Sequence, residues 1–160
     1  MLHSPGTNID FAGLKKQIAA QGGSLFALPV QDINKLFPVL EGVLENSDLL
    51  MAIPDSAIYN SGSIRNILLT SYRKNIPLVG LSQHYVDAGA LCAIFSTTEQ
   101  IAEQAGATVA SFARNRHLPP PQYPANFTVA VNHQVARSMG IKLLSSEIIR
   151  NQMGKAVKRP

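Results

Sequence analysis

The feature that most constrains this chain is a regular alternation of short apolar runs with amphipathic helical stripes. Between the runs, apolar residues recur three and four positions apart, which is the spacing of one helical face. This alternation, with short connections, predicts an α/β three-layer sandwich built on a mainly parallel sheet with helices on both sides. Five runs are apolar throughout, as expected of strands buried on both faces: Leu25–Val30, Leu49–Ile53, Ile76–Leu81, Ala90–Phe95 and Phe127–Val131.

Two helices can be placed before the second apolar run. Ile9–Ala20 is typical of a helix opened by Thr7 or Asn8, because such side chains accept hydrogen bonds from the first free N–H groups. Ile33–Leu44 carries an apolar stripe and follows Asp32, which suits an N-cap. Only Met1–His3 precede the turn Ser4–Thr7 that leads into the first helix, so we expect the strand that should come before it to be missing.

Two further helices follow the same rule. Ile64–Leu68 begins one stripe, and a longer one follows Ser96–Glu99, which matches a capping box formed by Ser96 and Glu99. The pattern predicts that the apolar side of this longer helix comprises Ile101, Ala105, Val109 and Phe112.

With 160 residues the chain fits one globular domain or one lobe of a larger protein. We expect residues 1–116 to form an α/β lobe. His117–Pro124 is rich in proline and cannot continue a helix, so residues 117–126 are predicted to be a stiff connector. Residues 127–160 supply a C-terminal strand, helices and a basic tail.

Charge and hydropathy argue against several partners. The net charge is +4, but much of the excess lies in the tail, and the other basic residues are scattered without an aromatic platform. We therefore expect no nucleic-acid binding. No apolar run approaches the roughly 20 residues needed to span a bilayer, and Met1–Asp10 lacks the pattern of a signal peptide. Direct membrane insertion is not expected.

Motifs for enzyme chemistry are weak. The four histidines do not fall at metal-ligand spacing, no glycine-rich phosphate loop is present, and Cys92 is the single cysteine. Ser71–Lys74 matches the Ser-x-x-Lys pattern of acyl-transferring enzymes but lacks its companion motifs. We predict no catalytic residue, no metal and no cofactor. A small hydrolase or transferase remains an alternative if a base lies beside a nucleophile.

Candidate ligand-binding residues follow the second apolar run, because ligands of open parallel sheets bind beyond the carboxyl ends of the strands. Asp55 could neutralise an ammonium group, and Tyr59 and Tyr85 could supply flat apolar walls with hydroxyl ends. Amide groups at the start of the helix near Ser61–Arg65 could receive a carboxylate, and Ser56 and Asn60 in the same loop are further candidates. That set suits an amino-acid-like ligand. The alternative is that Asp55, Ser56 and Asn60 only form turns and helix caps.

A second loop follows the third run and supplies four more candidates. It is polar and contains one tyrosine, as the first loop does. Its candidate ligand-binding residues are Ser82, Gln83, His84 and Tyr85.

Taken in order, several segments resemble the ABC-transporter substrate-binding protein family, which comprises bacterial type I periplasmic binding proteins with two α/β lobes. The likeness runs from Ser4 to about Ile149 and corresponds to the C-terminal portion of a member only, a Rossmann-like lobe with a crossover to the hinge. The segments that carry it are Asp48–Asp55, Ile67–Arg73, Ile76–Gly80, Tyr85–Leu91, Val129–Asn132 and Val135–Gly140.

The resemblance implies a solute-binding component, or truncated lobe, of an ABC-type importer that binds a small polar ligand such as an amino acid and acts with a permease. It places Asp55, Ser56, Tyr59 and Asn60 in the cleft between lobes and Ser82–Asp87 near the hinge. The family works in the periplasm or as a surface lipoprotein, whereas this start, if it is the natural one, would leave the product in the cytoplasm. An effector-binding regulatory module of the same fold is the alternative.

A lone lobe would expose a sheet edge and the apolar surface that a second lobe covers. We therefore expect self-association into a homodimer or larger homo-oligomer, with strand exchange as one route.

Overall fold

A computed structural model describes residues 1–157, with side chains through Met153. The strands are β1 (Leu2–His3), β2 (Leu28–Pro29), β3 (Leu50–Met51), β4 (Leu78–Gly80), β5 (Cys92–Phe95) and β6 (Thr128–Val131). The helices are α1 (Phe11–Ala19), α2 (Leu36–Leu44), α3 (Ile64–Arg73), α4 (Gln83–Asp87), α5 (Thr98–Asn115), α6 (His133–Ser138) and α7 (Ser146–Val157), and a 3-10 turn at Ile33–Lys35 precedes α2.

The strands form two sheets that confirm the predicted α/β class. The larger sheet has the order β3-β4-β5-β6, in which the first three strands are parallel and β6 runs antiparallel to β5. The smaller sheet pairs β1 with β2 in parallel. Helices connect successive parallel strands, so the carboxyl ends of β3 and β4 lie at one edge of their sheet.

The expectation that Met1–His3 cannot supply a strand is wrong. Leu2 and His3 form β1, which pairs with β2. The Met1 carbonyl accepts from Leu28 N at 3.1 Å, and the His3 carbonyl accepts from Val30 N at 2.8 Å. A strand of two residues is too short to give a periodic pattern, and for that reason it could not be predicted from the sequence.

The first apolar run also differs from its prediction. Of Leu25–Val30, only Val30 is buried, whereas Leu28 is 37% exposed. Only Leu28 and Pro29 within it form the strand, at the rim of a two-stranded sheet. Such a strand can be apolar without being covered on both faces.

The main hydrophobic core lies between the strands and the helices α2 and α3. Leu2, Leu40, Leu50 and Ile67 are fully inaccessible to solvent and belong to one continuous cluster. Because residues of both sheets enter this cluster, the two sheets share one core.

Two helix caps lie one or more residues away from their predicted positions. α1 is capped by Asp10, whose side chain accepts from Gly13 N at 2.9 Å, rather than by Thr7 or Asn8. The capping box of α5 is formed by Thr97 and Gln100 rather than by Ser96 and Glu99. Near each helix start, several neighbouring residues have side chains that can cap the helix. The residue at which the backbone enters the helix is the one that becomes the N-cap.

The proline-rich segment doubles back along α5. Arg116 ends the helix in the left-handed conformation with φ 56°. Gln104 then holds the returning chain, because its side chain donates to Tyr123 O at 3.3 Å and accepts from Ala125 N at 2.8 Å.

None of the helices in residues 1–157 is long and apolar enough to cross a membrane. Of the basic tail, Lys158 and Arg159 lie outside the described residues.

Gly80 allows close packing at the end of β4, and its replacement tests this packing. A Cβ there would collide with the Tyr85 side chain, so Gly80→Ala is expected to lower the free energy of unfolding by about 1–3 kcal/mol. In α2, a Cβ at Gly42 meets no atom, and Gly42→Ala should raise stability by about 0.5–1 kcal/mol. Urea unfolding measures both. Equal effects of the two variants on the free energy of unfolding would contradict the close packing of Tyr85 against Gly80.

Candidate functional site

A polar hollow of about 540 Å³ opens at the carboxyl ends of β1 and β3. One wall is the turn between β1 and α1, and the other is the start of the loop after β3. The lining residues are Ser4, Gly6, Thr7, Asn8, Ile9, Pro54, Asp55 and Ser56. Ligands of α/β sheets bind at such strand ends, so we take this hollow as the candidate site.

Asp55 joins the two walls of the hollow. Its carboxylate accepts from Ser4 N at 2.6 Å, from the Thr7 hydroxyl, and from Ala57 N at 3.1 Å. The first two donors belong to the β1–α1 turn, and the third belongs to the loop of Asp55 itself. Three of about four acceptor directions of the carboxylate are therefore used within the protein.

Burial alone would raise the pKa of the Asp55 carboxyl. The hydrogen bonds from Ser4, Thr7 and Ala57 outweigh it, and the pKa is lowered from its ordinary value. Asp55 is therefore charged at neutral pH although the residue is buried. Its charge stabilises the turn.

Several donors at the hollow remain uncommitted. Among residues 1–157, the side chains of Asn8 and Ser56 and the N–H of Gly6 have no hydrogen-bond acceptor. Asn8 and Ser56 are exposed where they line the hollow. Such a set can bind an acceptor such as a carboxylate on a ligand.

Tyr59 lies in the core and does not line the hollow. It is 6% exposed, and its hydroxyl accepts from Leu2 N at 3.4 Å. Burial raises the pKa of Tyr59 strongly, and the nearby ionisable groups of Tyr85 and Asp55 add to the rise. Tyr59 is therefore a neutral phenol that stabilises β1 through the hydrogen bond from Leu2 N.

Asn60 organises the loop that leads to α3. Its side-chain oxygen accepts from Gly62 N at 2.9 Å and Ser63 N at 3.2 Å, and its NH₂ donates to Ser56 O at 3.0 Å. This is the turn-forming arrangement that Asn commonly adopts. Of the four candidates in the first loop, Asp55 and Ser56 thus meet at the hollow, whereas Tyr59 and Asn60 do not line it.

The four candidates of the second loop do not line the hollow either. Ser82 is the N-cap residue of α4, Gln83 donates to Asp87 at 2.8 Å, and His84 is exposed. Tyr85 is half-buried against the main core, and burial raises the pKa of its hydroxyl.

Sequence reasoning missed Pro54 and the five lining residues that precede α1, namely Ser4, Gly6, Thr7, Asn8 and Ile9. The signal was the Ser-Pro-Gly-Thr-Asn turn, which the sequence does show. A turn points to a ligand site only when a strand precedes it. Because β1 was not predicted, the turn carried no such meaning.

Two groups with possible reactivity lie elsewhere. The hydroxyl of Ser71 is buried and donates to Ile76 O at 2.5 Å, which closes the end of α3. Burial raises the pKa of the half-buried Cys92 thiol. In the part of the chain that the structure describes, no group of three His, Cys, Asp or Glu side chains could hold a metal ion.

No family model matches the sequence, and no curated protein matches it. Several solved structures do share its fold. A conserved domain protein from Vibrio cholerae O1 biovar El Tor is 18% identical with a TM-score of 0.65, and 93% of this chain covers 51% of it.

Two further solved structures are described as binding domains or proteins. One is an ABC domain in complex with L-Trp from Streptococcus pneumoniae, 14% identical with a TM-score of 0.65, where 93% of this chain covers 52% of the other. The other is the ligand-free, open structure of a substrate-binding protein with adhesive properties from Clostridium difficile. It is 14% identical with a TM-score of 0.69, and 91% of this chain covers 50% of it.

The chain therefore spans about half the length of these three proteins. At this level of identity the likeness establishes the fold. The shared fold is an α/β fold with a mainly parallel sheet.

Replacing the Asp55 carboxylate tests its role in joining the walls. Asp55→Asn should lower the free energy of unfolding by about 1–3 kcal/mol near pH 7. The NH₂ group of the asparagine would face an N–H or O–H donor of the protein in the place of an acceptor oxygen, and a hydrogen bond would be lost. Folding lowers the pKa of Asp55, so its contribution is present above the unfolded value of about 3.9 and is lost as pH falls through the folded value. The difference from the unchanged protein should therefore shrink in urea titrations at acid pH.

Asp48→Asn makes the same change at an exposed carboxylate and should alter stability by less than about 0.5 kcal/mol. Equal stability of Asp55→Asn and the unchanged protein near neutral pH would contradict the role of Asp55.

Proposed function

We propose that this protein is a solute-binding component of an ABC-type importer, and that it binds a small polar solute with a carboxylate group in the hollow at the ends of β1 and β3. The observation that carries the proposal is that three residues with uncommitted donors, Gly6, Asn8 and Ser56, line that hollow. The proposal assigns no catalytic step, and binding alone is the activity.

The position of the hollow supports this function. In open α/β sheets ligands bind outside the carboxyl ends of parallel strands, where the loops that follow them meet. The Asp55 carboxylate fixes the two loops relative to each other. The backbone positions of the donors are therefore fixed before a ligand binds, and only the Asn8 and Ser56 side chains have to be ordered by it.

The solved structures of similar fold support the class of ligand. Two of them are described as an ABC domain with L-Trp and as a substrate-binding protein. An amino acid is hence the first class to test. Its carboxylate would accept from the Asn8 and Ser56 side chains, and the remaining acceptor direction of Asp55 would be available to its ammonium group.

The geometry of the hollow limits the affinity. It is an open concavity formed by one lobe, and a ligand that is covered on one side gains only part of the burial that a closed cleft provides. We expect a dissociation constant in the millimolar range for these residues alone. As part of the proposal, the protein acts in the periplasm and delivers its solute to a permease.

A titration can test the site directly. L-Trp and other amino acids, added at millimolar concentration, should shift the amide NMR signals of Gly6, Asn8 and Ser56 more than those of α7. Ser56→Ala and Asn8→Ala should each weaken binding by about 1 kcal/mol, which is roughly a fivefold rise in Kd, because each removes one hydrogen bond.

The matched control is Asn151→Ala, which changes the same side chain on the exposed surface of α7 and should leave Kd unchanged. Neither Asn8 nor Ser56 contributes a side-chain hydrogen bond within the described chain, so melting temperatures should remain close to that of the unchanged protein. Binding that is equally strong in all three variants would refute the site. Shifts confined to other surfaces would refute it as well.

A further inference from the structure

A second hollow, of about 490 Å³, lies between α3 and α6, and the residues at the end of α4 line it as well. Its lining residues differ from those of the first hollow. Right-handed crossovers place α3 and α4 on the same face of the parallel strands. Because α4 has five residues and α3 has ten, the short helix leaves part of that face uncovered. A hollow of this volume is in the usual range of sites for small ligands.

Helix α3 forms an amphipathic wall of this second hollow. Leu68, Leu69 and Tyr72 follow Arg65 by three, four and seven positions, so the four residues lie on one side of the helix, and all of them line the hollow. Leu68 is buried, whereas Leu69 is 44% exposed and Tyr72 is 45% exposed. Packing within residues 1–157 therefore leaves part of this apolar wall open.

Two residues of opposite charge line the second hollow without pairing. Arg65 belongs to α3, and Asp87 is the last residue of α4. Within the part of the chain that the structure describes, neither of them forms an ion pair. The Arg65 guanidinium has no hydrogen-bond acceptor there, and the Asp87 carboxylate accepts from Gln83 alone, at 2.8 Å. Both groups thus keep most of their hydrogen-bonding capacity for a ligand.

Asn132 fixes the backbone where the end of α4 meets the start of α6. Its NH₂ group donates to Val86 O at 3.0 Å. Its side-chain oxygen accepts from Gln134 N at 3.1 Å and from Val135 N at 3.0 Å. The backbone next to Asp87 is therefore held in place before a ligand binds, and a ligand would have to order side chains only.

This combination of groups matches a zwitterion that carries an apolar body. A guanidinium binds a carboxylate through paired hydrogen bonds, and a carboxylate binds an ammonium group. An anion without an ammonium group would be repelled by Asp87, and a cation without a carboxylate would be repelled by Arg65. Leu69 and Tyr72 offer an apolar surface, and the tyrosine ring suits an aromatic body in particular.

We propose that the hollow between α3 and α6 is a second ligand-binding site, and that it takes an amino acid with an apolar side chain. Arg65 binds the carboxylate of this ligand, Asp87 binds its ammonium group, and Leu69 and Tyr72 contact its side chain. Because both charged residues are exposed, the surrounding water weakens each ion pair, and we expect a millimolar dissociation constant. The second site does not depend on the first hollow.

A titration with L-phenylalanine, followed by amide NMR, tests the second site. The signals of Leu69 and Gly89 should shift more than those of α7, and their concentration dependence gives the dissociation constant of this site. Ser56→Ala changes the first hollow alone and should leave that dissociation constant unchanged. The second site can therefore fail while the first succeeds, or the reverse.

Removing the cation tests the role of Arg65. Arg65→Gln should raise the dissociation constant about fivefold, because the ligand carboxylate loses its charged donor. Arg73→Gln is the matched control: it makes the same change at an exposed residue of α3 that does not line the hollow, and it should leave the dissociation constant unchanged. Since both arginines are exposed, both variants should fold normally.

Two analogues of the ligand test which residue binds which charge. N-acetyl-L-phenylalanine lacks the ammonium group and L-phenylalaninamide lacks the carboxylate, so each should bind about fivefold more weakly than L-phenylalanine. Arg65→Gln should not weaken the binding of L-phenylalaninamide further, and Asp87→Asn should not weaken that of N-acetyl-L-phenylalanine. The proposal would be overturned by unshifted Leu69 and Gly89 signals at tens of millimolar L-phenylalanine. Equal effects of Arg65→Gln and Arg73→Gln, or analogues that bind as tightly as L-phenylalanine, would overturn it too.

Discussion

The rest of the candidate site depends on the hydrogen bonds that the Asp55 carboxylate accepts. β1 has only two residues, too few to hold the turn that follows it by strand pairing alone. Asp55 supplies the missing restraint, because it accepts from Ser4 and Thr7 in that turn and from Ala57 in its own loop. The low pKa of Asp55 keeps the carboxylate charged, and a charged acceptor forms the stronger hydrogen bonds. The hollow is a consequence of this link.

Much of the fold could be predicted from the sequence, because burial imposes periodicity on long elements. The runs at β3, β4, β5 and β6 were recognised as strands since their apolar residues are continuous, and α2 was recognised by its stripe. β1 was missed because two residues cannot show a period. The α5 stripe predicted which side of the helix is apolar, but periodicity does not say what covers that side.

The candidate site was predictable only in part. The position after a parallel strand identified Asp55 and Ser56, since ligands bind at that edge. Residue type alone could not show that Tyr59 points into the core or that Asn60 closes a turn, because both types serve in sites and in scaffolds. The role of Asp55 depends on Ser4 and Thr7, which lie some fifty positions away in the sequence.

Amide hydrogen exchange at Ser4 is the most direct test of the central claim that Asp55 holds the β1–α1 turn and so forms the hollow. Ser4 belongs to no helix or strand, and the acceptor of its N–H is the Asp55 carboxylate at 2.6 Å. The account predicts that this amide exchanges far more slowly than that of exposed Gly6 in the same turn. Exchange at Ser4 as fast as in an unstructured peptide, in a protein whose core amides remain protected, would contradict it.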